Sequence, residues 1–322
     1  ESDIRSVALF SGHTLLRDAN TNSSTGTIHV HSARYSTKML AHYRLMHIGE
    51  EIMDNTQSNP KVHDLEWNTS DTLSTCHSCP HGKARSTPVK QLSDSSVRTT
   101  KGELMCSDTS GKITIPSIGG AQYTYVILDS ATRTGFGGGL IRKSDITPVT
   151  DKMILSQLTG DNADTVIKEF KTDGDRSNYN SKKYNDMLKG HSIKRTPSPE
   201  YKPQYNGIAE RQQQTYDSMA LAALHYAGLD YSFYVLAYVH AIWVRNRCTH
   251  KSLDPFIPNN IPWLLWQSRD IYFTYLRIFG CPAFVKKPSD KQRSHQSKSW
   301  QGIYVGVADN GVGFKIFCSV TK

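Results

Sequence analysis

The sequence predicts an α/β protein in three parts: a metal-bound amino-terminal module, a central mixed α/β domain and a small all-β module at the end. Three observations carry this. Strand-like runs at 103–106 and 123–128 are followed by helical and strand-like stretches in alternation. A close histidine pair and a close cysteine pair precede them. After about residue 247 the helical periodicity gives way to short strand-like runs joined by basic or Gly/Asn turns.

In chain order, residues 1–36 are polar, with a Thr/Asn/Ser run at 20–25 that reads as a loop. Met39, Leu40, Tyr43, Leu45, Met46, Ile48, Ile52 and Met53 give helical spacing over 37–57, broken near Gly49. Residues 86–100 carry Pro88 and four serines and read as a linker. Gly119-Gly120 marks a turn between the first two strands. A third strand is expected at 135–141, although Gly137–Gly139 lowers its propensity. Helices are expected at 144–158, 179–188, 208–229 and 231–245, with a strand at 166–171. The longest helix is stopped by Gly228. Runs at 276–284, 302–307 and 313–318 supply the terminal β-module. The expected divisions are 1–36, 37–85, 86–100, 101–247 and 248–322.

The chain has 322 residues and a net charge of +9, from 38 Lys+Arg against 29 Asp+Glu. That basic balance, with a pI near 9.1, favours a polyanionic partner. No stretch approaches about 18 uninterrupted apolar residues, and the first thirty hold no apolar signal core; neither a membrane span nor a secretory leader is expected. The chain begins at Glu1, which reads as a piece of something longer. Six cysteines are too sparse for a disulfide scaffold, and the compartment reads as reducing. Cys106, Cys248, Cys281 and Cys318 lack partner spacing and are expected as buried thiols.

His42 and His47 with Cys76 and Cys79 offer the two-plus-two donor set of a structural, four-coordinate Zn²⁺. On an ideal helix a five-residue step turns about 500°, so the two imidazoles could not face one ion. Either the helix ends between them, or His63, His77 or His81 takes a place. The competing reading is ordinary histidines beside a stray cysteine pair. A segment this polar builds little core, so the metal would contribute much of its folding energy.

Asp108 and Asp173 follow strand-like runs, and Glu210 opens the long helix. Three such carboxylates can converge at one side of a sheet and suit Mg²⁺. Spacing alone does not single them out among 29 acidic residues; Asp129, Asp145, Asp161, Asp164 and Asp175 compete.

The run Glu200-Tyr-Lys-Pro-Gln-Tyr-Asn-Gly-Ile-Ala-Glu-Arg211 closely resembles the Tyr-x-Pro-Gln-x-Asn-Gly-[Val/Ile]-Ala-Glu-Arg signature of copia-type LTR-retrotransposon integrases, in the retroviral-type integrase superfamily. Its glutamate, the third member of an Asp, Asp, Glu triad, falls on Glu210. Asp108 in Cys-Ser-Asp-Thr-Ser-Gly matches the first aspartate. Asp173 in Phe-Lys-Thr-Asp-Gly matches the second, although the family's usual Asp-Asn-Gly-Gly-Glu-Phe reads here Asp-Gly-Asp-Arg-Ser-Asn-Tyr. His42, His47, Cys76 and Cys79, then Gly82-Lys83, resemble the family's HHCC zinc module. Phe279-Gly-Cys-Pro-Ala-Phe284 and Gly302-Ile-Tyr-Val-Gly306 resemble the segment after the core. The four matches run in order over about residues 37–318.

The resemblance implies an RNase H-like catalytic core, a mixed sheet flanked by helices, with an N-terminal HHCC zinc module and a small C-terminal β-module. It implies a polynucleotidyl transferase in which Asp108, Asp173 and Glu210 hold two Mg²⁺ or Mn²⁺ ions while Zn²⁺ is structural. The reaction would be strand transfer inserting linear element DNA into host target DNA, with 3′-end trimming at the same centre. Tyr201 and Asn206 would lie beside the DNA end, with Lys202, Arg211 and Gln214 as further DNA contacts. A basic loop at 194–204 and five cations over 286–298 against Asp290 would meet phosphates. Implied partners are DNA, further copies of the chain in a homo-multimer, and a host chromatin or nuclear import factor, with no membrane. Implied localisation is the nucleus after a cytoplasmic virus-like particle. The alternatives are a catalytically inactive or domesticated integrase acting as a DNA-binding or assembly protein, and a general RNase H-like nuclease.

Overall fold

A computed structural model describes residues 37–68, 70–84, 100–157, 165–172, 179–197, 207–253, 260–287, 292, 294–308 and 311–318. The expectations for residues 1–36 and for most of the linker fall outside these.

The centre is a five-stranded mixed sheet of β2 (Leu104–Thr109), β3 (Tyr123–Asp129), β4 (Gly135–Leu140), β5 (Glu169–Thr172) and β6 (Lys194–Pro197), in the order β4-β3-β2-β5-β6. β2, β3 and β4 form an antiparallel meander, while β5 and β6 run parallel to β2. Helices cover both faces, and for this reason Leu104–Cys106 of β2 and Val126–Leu128 of β3 are unbroken apolar runs. Strand alternation sorts their side chains. Leu104, Cys106 and Val126 face α6 (Gly207–Ala227) and α7 (Tyr234–Asn246). Met105, Ile127 and Phe170 share the opposite core with Tyr184 of α5 (Lys182–Gly190) and Ile154 of α4 (Ile146–Gln157). This is the expected RNase H-like arrangement.

The glycines of 137–139 do not weaken β4; they let α7 lie across it. A Cβ on Gly137 would stand 2.5 Å from the Tyr125 carbonyl oxygen and 2.6 Å from Ile242 Cδ1, and one on Gly139 would stand 2.7 Å from Val235 Cγ1. Asp129, a competitor for the carboxylate site, is fully buried and structural. It accepts hydrogen bonds from the Gly102 amide and from the amide and hydroxyl of Thr132, which fixes the β3–β4 turn.

Two elements depart from expectation. Residues 194–197 form strand β6 instead of a loop, because they complete the sheet beside β5; Arg195 there donates to Thr172 Oγ1 at 3.1 Å and is not merely a solvated phosphate contact. Residues 262–267 form helix α8 (Pro262–Gln267), started by its proline, whose Trp266 is fully buried.

The amino-terminal module comprises α1 (Thr37–Arg44), α2 (Glu50–Gln57), the two-residue strand β1 (Val62–His63) and α3 (Ser78–Lys83). β1 pairs in parallel with β7 (Ile271–Tyr272), beyond the central sheet in sequence. The Arg44 guanidinium reaches the Leu276 carbonyl at 3.0 Å. The terminal module is a three-stranded antiparallel sheet, β10-β9-β8, of β8 (Pro282–Lys286), β9 (Ser299–Val307) and β10 (Phe314–Phe317). Of the four cysteines outside the close pair, Cys106 and Cys248 are buried, but Cys281 and Cys318 lie on this more open periphery and are only half-buried. Among the described residues, no helix is long and apolar enough to cross a membrane.

Candidate functional site

The histidine spacing is resolved by the backbone. α1 ends at Arg44, and Met46 and His47 then take left-handed conformations (φ 55° and 62°), which cost non-glycine residues of order 1 kcal/mol each. The His47 amide donates to the His42 carbonyl at 2.8 Å, closing a turn that swings His47 back over α1. The two rings meet edge to face with centroids 5.0 Å apart.

Cys76 and Cys79 approach from the start of α3. His42 Nε2 lies 3.3 Å from Cys79 Sγ, and His47 Nδ1 lies 3.4 Å from Cys76 Sγ and 3.8 Å from Cys79 Sγ. With Zn–S near 2.3 Å and Zn–N near 2.0–2.1 Å, the edge of a tetrahedral site is about 3.6 Å. One donor atom from each residue lies within 4.8 Å of all the others. The four residues therefore fit a structural zinc ion. His42 Nδ1 sits 3.0 Å from the Ile48 carbonyl oxygen; donation there leaves Nε2 to face the centre. Burial lowers the His47 pKa and favours the neutral imidazole that a metal needs. The hydrogen bond with Cys79, followed by those with the two imidazoles, pushes the Cys76 thiol pKa down, while the same thiol contact and burial push that of Cys79 up. His63 and His81 do not enter the group: His63 pairs with Asp270 at 3.0 Å, and His81 stacks on His225.

Of the three candidate carboxylates, Asp108 and Glu210 are among the described residues. Asp108 is the fifth residue of β2, inside the strand instead of after it; it is half-buried, and one carboxylate oxygen accepts the Thr109 amide at 2.8 Å. In the parallel register Ser107 faces Thr172. Asp173, the next residue in sequence, is outside the described residues, as are Asp161, Asp164, Asp175, Tyr201, Lys202 and Asn206. Behind Asp108 the Ser107 hydroxyl meets the phenol of the fully buried Tyr179 at 2.9 Å, a contact that no local pattern announces. Glu210 is half-buried in the first turn of α6. Arg211 and Gln214 are exposed on the same helix, and Arg211 Nε donates to the Gly207 carbonyl at 2.8 Å. Gln212, Gln213 and Tyr216 take its buried side. The donors present are hard oxygens at a strand end and a helix start, the chemistry that Mg²⁺ or Mn²⁺ prefers.

The described chain thus combines a mixed five-stranded sheet flanked by helices, a largely buried His₂Cys₂ group ahead of it in sequence and a small antiparallel sheet behind it. Over most of its length the chain is similar in sequence to Pol polyproteins of copia-type retrotransposons. It is 26% identical over 285 residues to the retrovirus-related Pol polyprotein from transposon TNT 1-94 of Nicotiana tabacum, which covers 88% of this chain and 20% of that protein. Against the corresponding polyproteins from transposons RE2 and RE1 of Arabidopsis thaliana, identity is 24% over 269 residues and 25% over 267, each covering 82% of this chain and 17% of the relative. The chain thus spans a fifth or less of these relatives. No family model matches. Among solved structures, the catalytic core domain of BIV integrase aligns with a TM-score of 0.37 at 14% identity, covering 52% of this chain and 95% of that one. A simian T-cell lymphotropic virus intasome in complex with PP2A regulatory subunit B56 gamma aligns with a TM-score of 0.41 at 14% identity, covering 76% and 85%.

Proposed function

We propose that the protein is an active integrase, a polynucleotidyl transferase that joins the 3′ ends of linear element DNA to a host target. The observation that carries this reading is the placement of Asp108 at the end of the central strand and of Glu210 in the opening turn of a helix packed on that strand. Asp108, Asp173 and Glu210 would hold two Mg²⁺ or Mn²⁺ ions, whose chemistry when bound is to activate an oxygen nucleophile and stabilise the leaving oxygen. A DNA 3′-hydroxyl attacks the target phosphodiester in line, with no covalent enzyme intermediate; water in its place trims the donor end. The protein positions the two DNAs. Tyr201, Lys202, Asn206, Arg211 and Gln214 border the donor end, and the basic tail neutralises phosphates. His42, His47, Cys76 and Cys79 hold a structural Zn²⁺. The chain works as a homo-multimer on DNA in the nucleus, after a cytoplasmic particle stage, with a host chromatin or nuclear import factor as a further partner.

The test separates chemistry from binding. Glu210→Gln and Asp108→Asn each remove one carboxylate charge. Each should abolish joining while DNA affinity stays within about threefold of the parent, because phosphate contacts carry the affinity. Joining preserved in either variant contradicts the assignment. Binding that no divalent ion converts into joining in the parent chain would point instead to a non-catalytic assembly role.

A further inference from the structure

Helix α6 has two ends with different neighbours. Its first turn carries Glu210; its last three turns form the seat of the His/Cys module. Ser218, Ala222, His225 and Tyr226 are spaced i, i+4, i+7 and i+8, a single stripe of the helix. α3 lies against that stripe so closely that a Cβ on Gly82 would stand 2.5 Å from both the Ala222 amide nitrogen and the Ser218 carbonyl oxygen. His225 stacks on His81 with centroids 3.7 Å apart and approaches the Ser78 hydroxyl at 3.2 Å. Tyr226 stacks on Tyr43 at 4.0 Å and meets the His47 ring edge-on at 5.5 Å. Met39, Tyr43, Cys76 and Tyr226, with Ile278, make one small buried cluster.

Of the four donor residues, His47 meets the ring of Tyr226 on the stripe and Cys76 shares the buried cluster with it. α3 has six residues, too few to stand alone. The turn that brings His47 into place is strained, and α1 meets the Cys76–Cys79 segment through that small cluster. An ion joining the four donors is what ties these pieces into one rigid cap. A 21-residue helix is a stiff rod about 31 Å long, so holding one end fixes the heading of the other.

We infer that the His42/His47/Cys76/Cys79 centre is a clasp on α6. Its metal occupancy sets how firmly the helix bearing Glu210 is held, and Gly82 and Tyr226 are positioning residues acting through that helix. The role of Glu210 rests on the reading above; the coupling between centre and helix does not.

Hydrogen exchange on the full chain tests this, comparing peptides over 218–227 with β3 (Tyr123–Asp129) as internal reference. Stripping zinc with 1,10-phenanthroline should speed exchange in 218–227 by about tenfold or more while β3 changes less than about twofold. Gly82→Val touches no ligand and should keep its zinc, yet show fast 218–227 exchange with or without the metal. Tyr226→Ala should behave likewise, and Tyr226→Phe, which keeps the ring, should match the parent. If joining is established, Gly82→Val should also raise the Mn²⁺ concentration for half-maximal rate, with Tyr226→Phe unchanged. Unaltered exchange in 218–227 on chelation overturns the inference. So does equal loss in β3, which would make zinc a prop for the whole fold, and so does loss of zinc from Gly82→Val. A chain that joins no DNA but shows the coupled exchange refutes the proposed reaction and leaves the clasp standing.

Discussion

Replacing His240 with phenylalanine should leave the protein at least as stable at pH 7 and markedly more resistant to acid. His240 sits on α7 where it meets the terminal β-module, its ring facing Trp243, Phe279 and Tyr304 at centroid distances of 6.2, 5.9 and 5.5 Å. It is only 2% exposed, and neither ring nitrogen has a hydrogen-bond partner among the described residues. The charged groups acting on it, Lys315 and Arg247, are both cationic. Burial first, and those cations second, push its pKa down to about 3. Between that value and the unfolded value of 6.5 the unfolded chain binds a proton that the native chain refuses. Stability from this group is therefore complete above about pH 6.5 and falls as the pH drops toward 3. Between pH 7 and pH 5 the loss is about 2 kcal/mol. Phenylalanine has a somewhat larger ring, keeps the aromatic contacts and removes two unpaired buried nitrogens, worth about 1–3 kcal/mol if wholly relieved. Urea unfolding at both pH values, with zinc held constant, should show the advantage of His240→Phe growing by about 2 kcal/mol at pH 5 with an unchanged m-value. Parallel acid limbs in the two proteins would refute the burial argument, since every other titrating group is common to both.

Three further outcomes follow from the packing. Gly137→Ala drives a methyl into the Tyr125 carbonyl and Ile242, and should cost about 1–3 kcal/mol in thermal or urea unfolding, whereas Gly49→Ala, with open space around its Cβ, should stay within about 0.5 kcal/mol. Asp129→Asn exchanges a carboxylate that accepts three hydrogen bonds for an amide that cannot, and should lose about 2 kcal/mol by the same assay. Metal analysis of the purified chain should find one zinc per molecule, and Cys79→Ser should release it under dialysis that the parent survives.

Much of the fold was legible because its signals are local. The β-branched and aromatic runs of β2 and β3, the helical spacing of α6 and its stop at Gly228, and the break between α1 and α2 at Gly49 all depend on neighbours a few residues away. The metal group was legible for a related reason: a five-residue histidine step excludes one helix, so a turn was required, and Met46 and His47 supply it. What the sequence hid was long-range. β6 has four residues, exposed at both ends, and becomes a strand only because β5 lies beside it. The glycines of β4 read as a weakness until α7 is seen to need their missing side chains. The pairing of β1 with β7, and the seat of Gly82 on α6, join residues more than a hundred positions apart. The triad carboxylates had no local signal beyond resemblance, because a functional aspartate and a solvated one look alike in a sequence.

The central claim is that this chain joins DNA, and one product analysis addresses it directly. Purified protein is incubated with labelled element-end DNA and a target plasmid in Mg²⁺ or Mn²⁺, with an EDTA control, and the products are resolved by size. Metal-dependent covalent joining of label to plasmid is expected, absent in EDTA and in Asp173→Asn. Cut DNA with no joined product, from folded protein carrying its zinc, would contradict it.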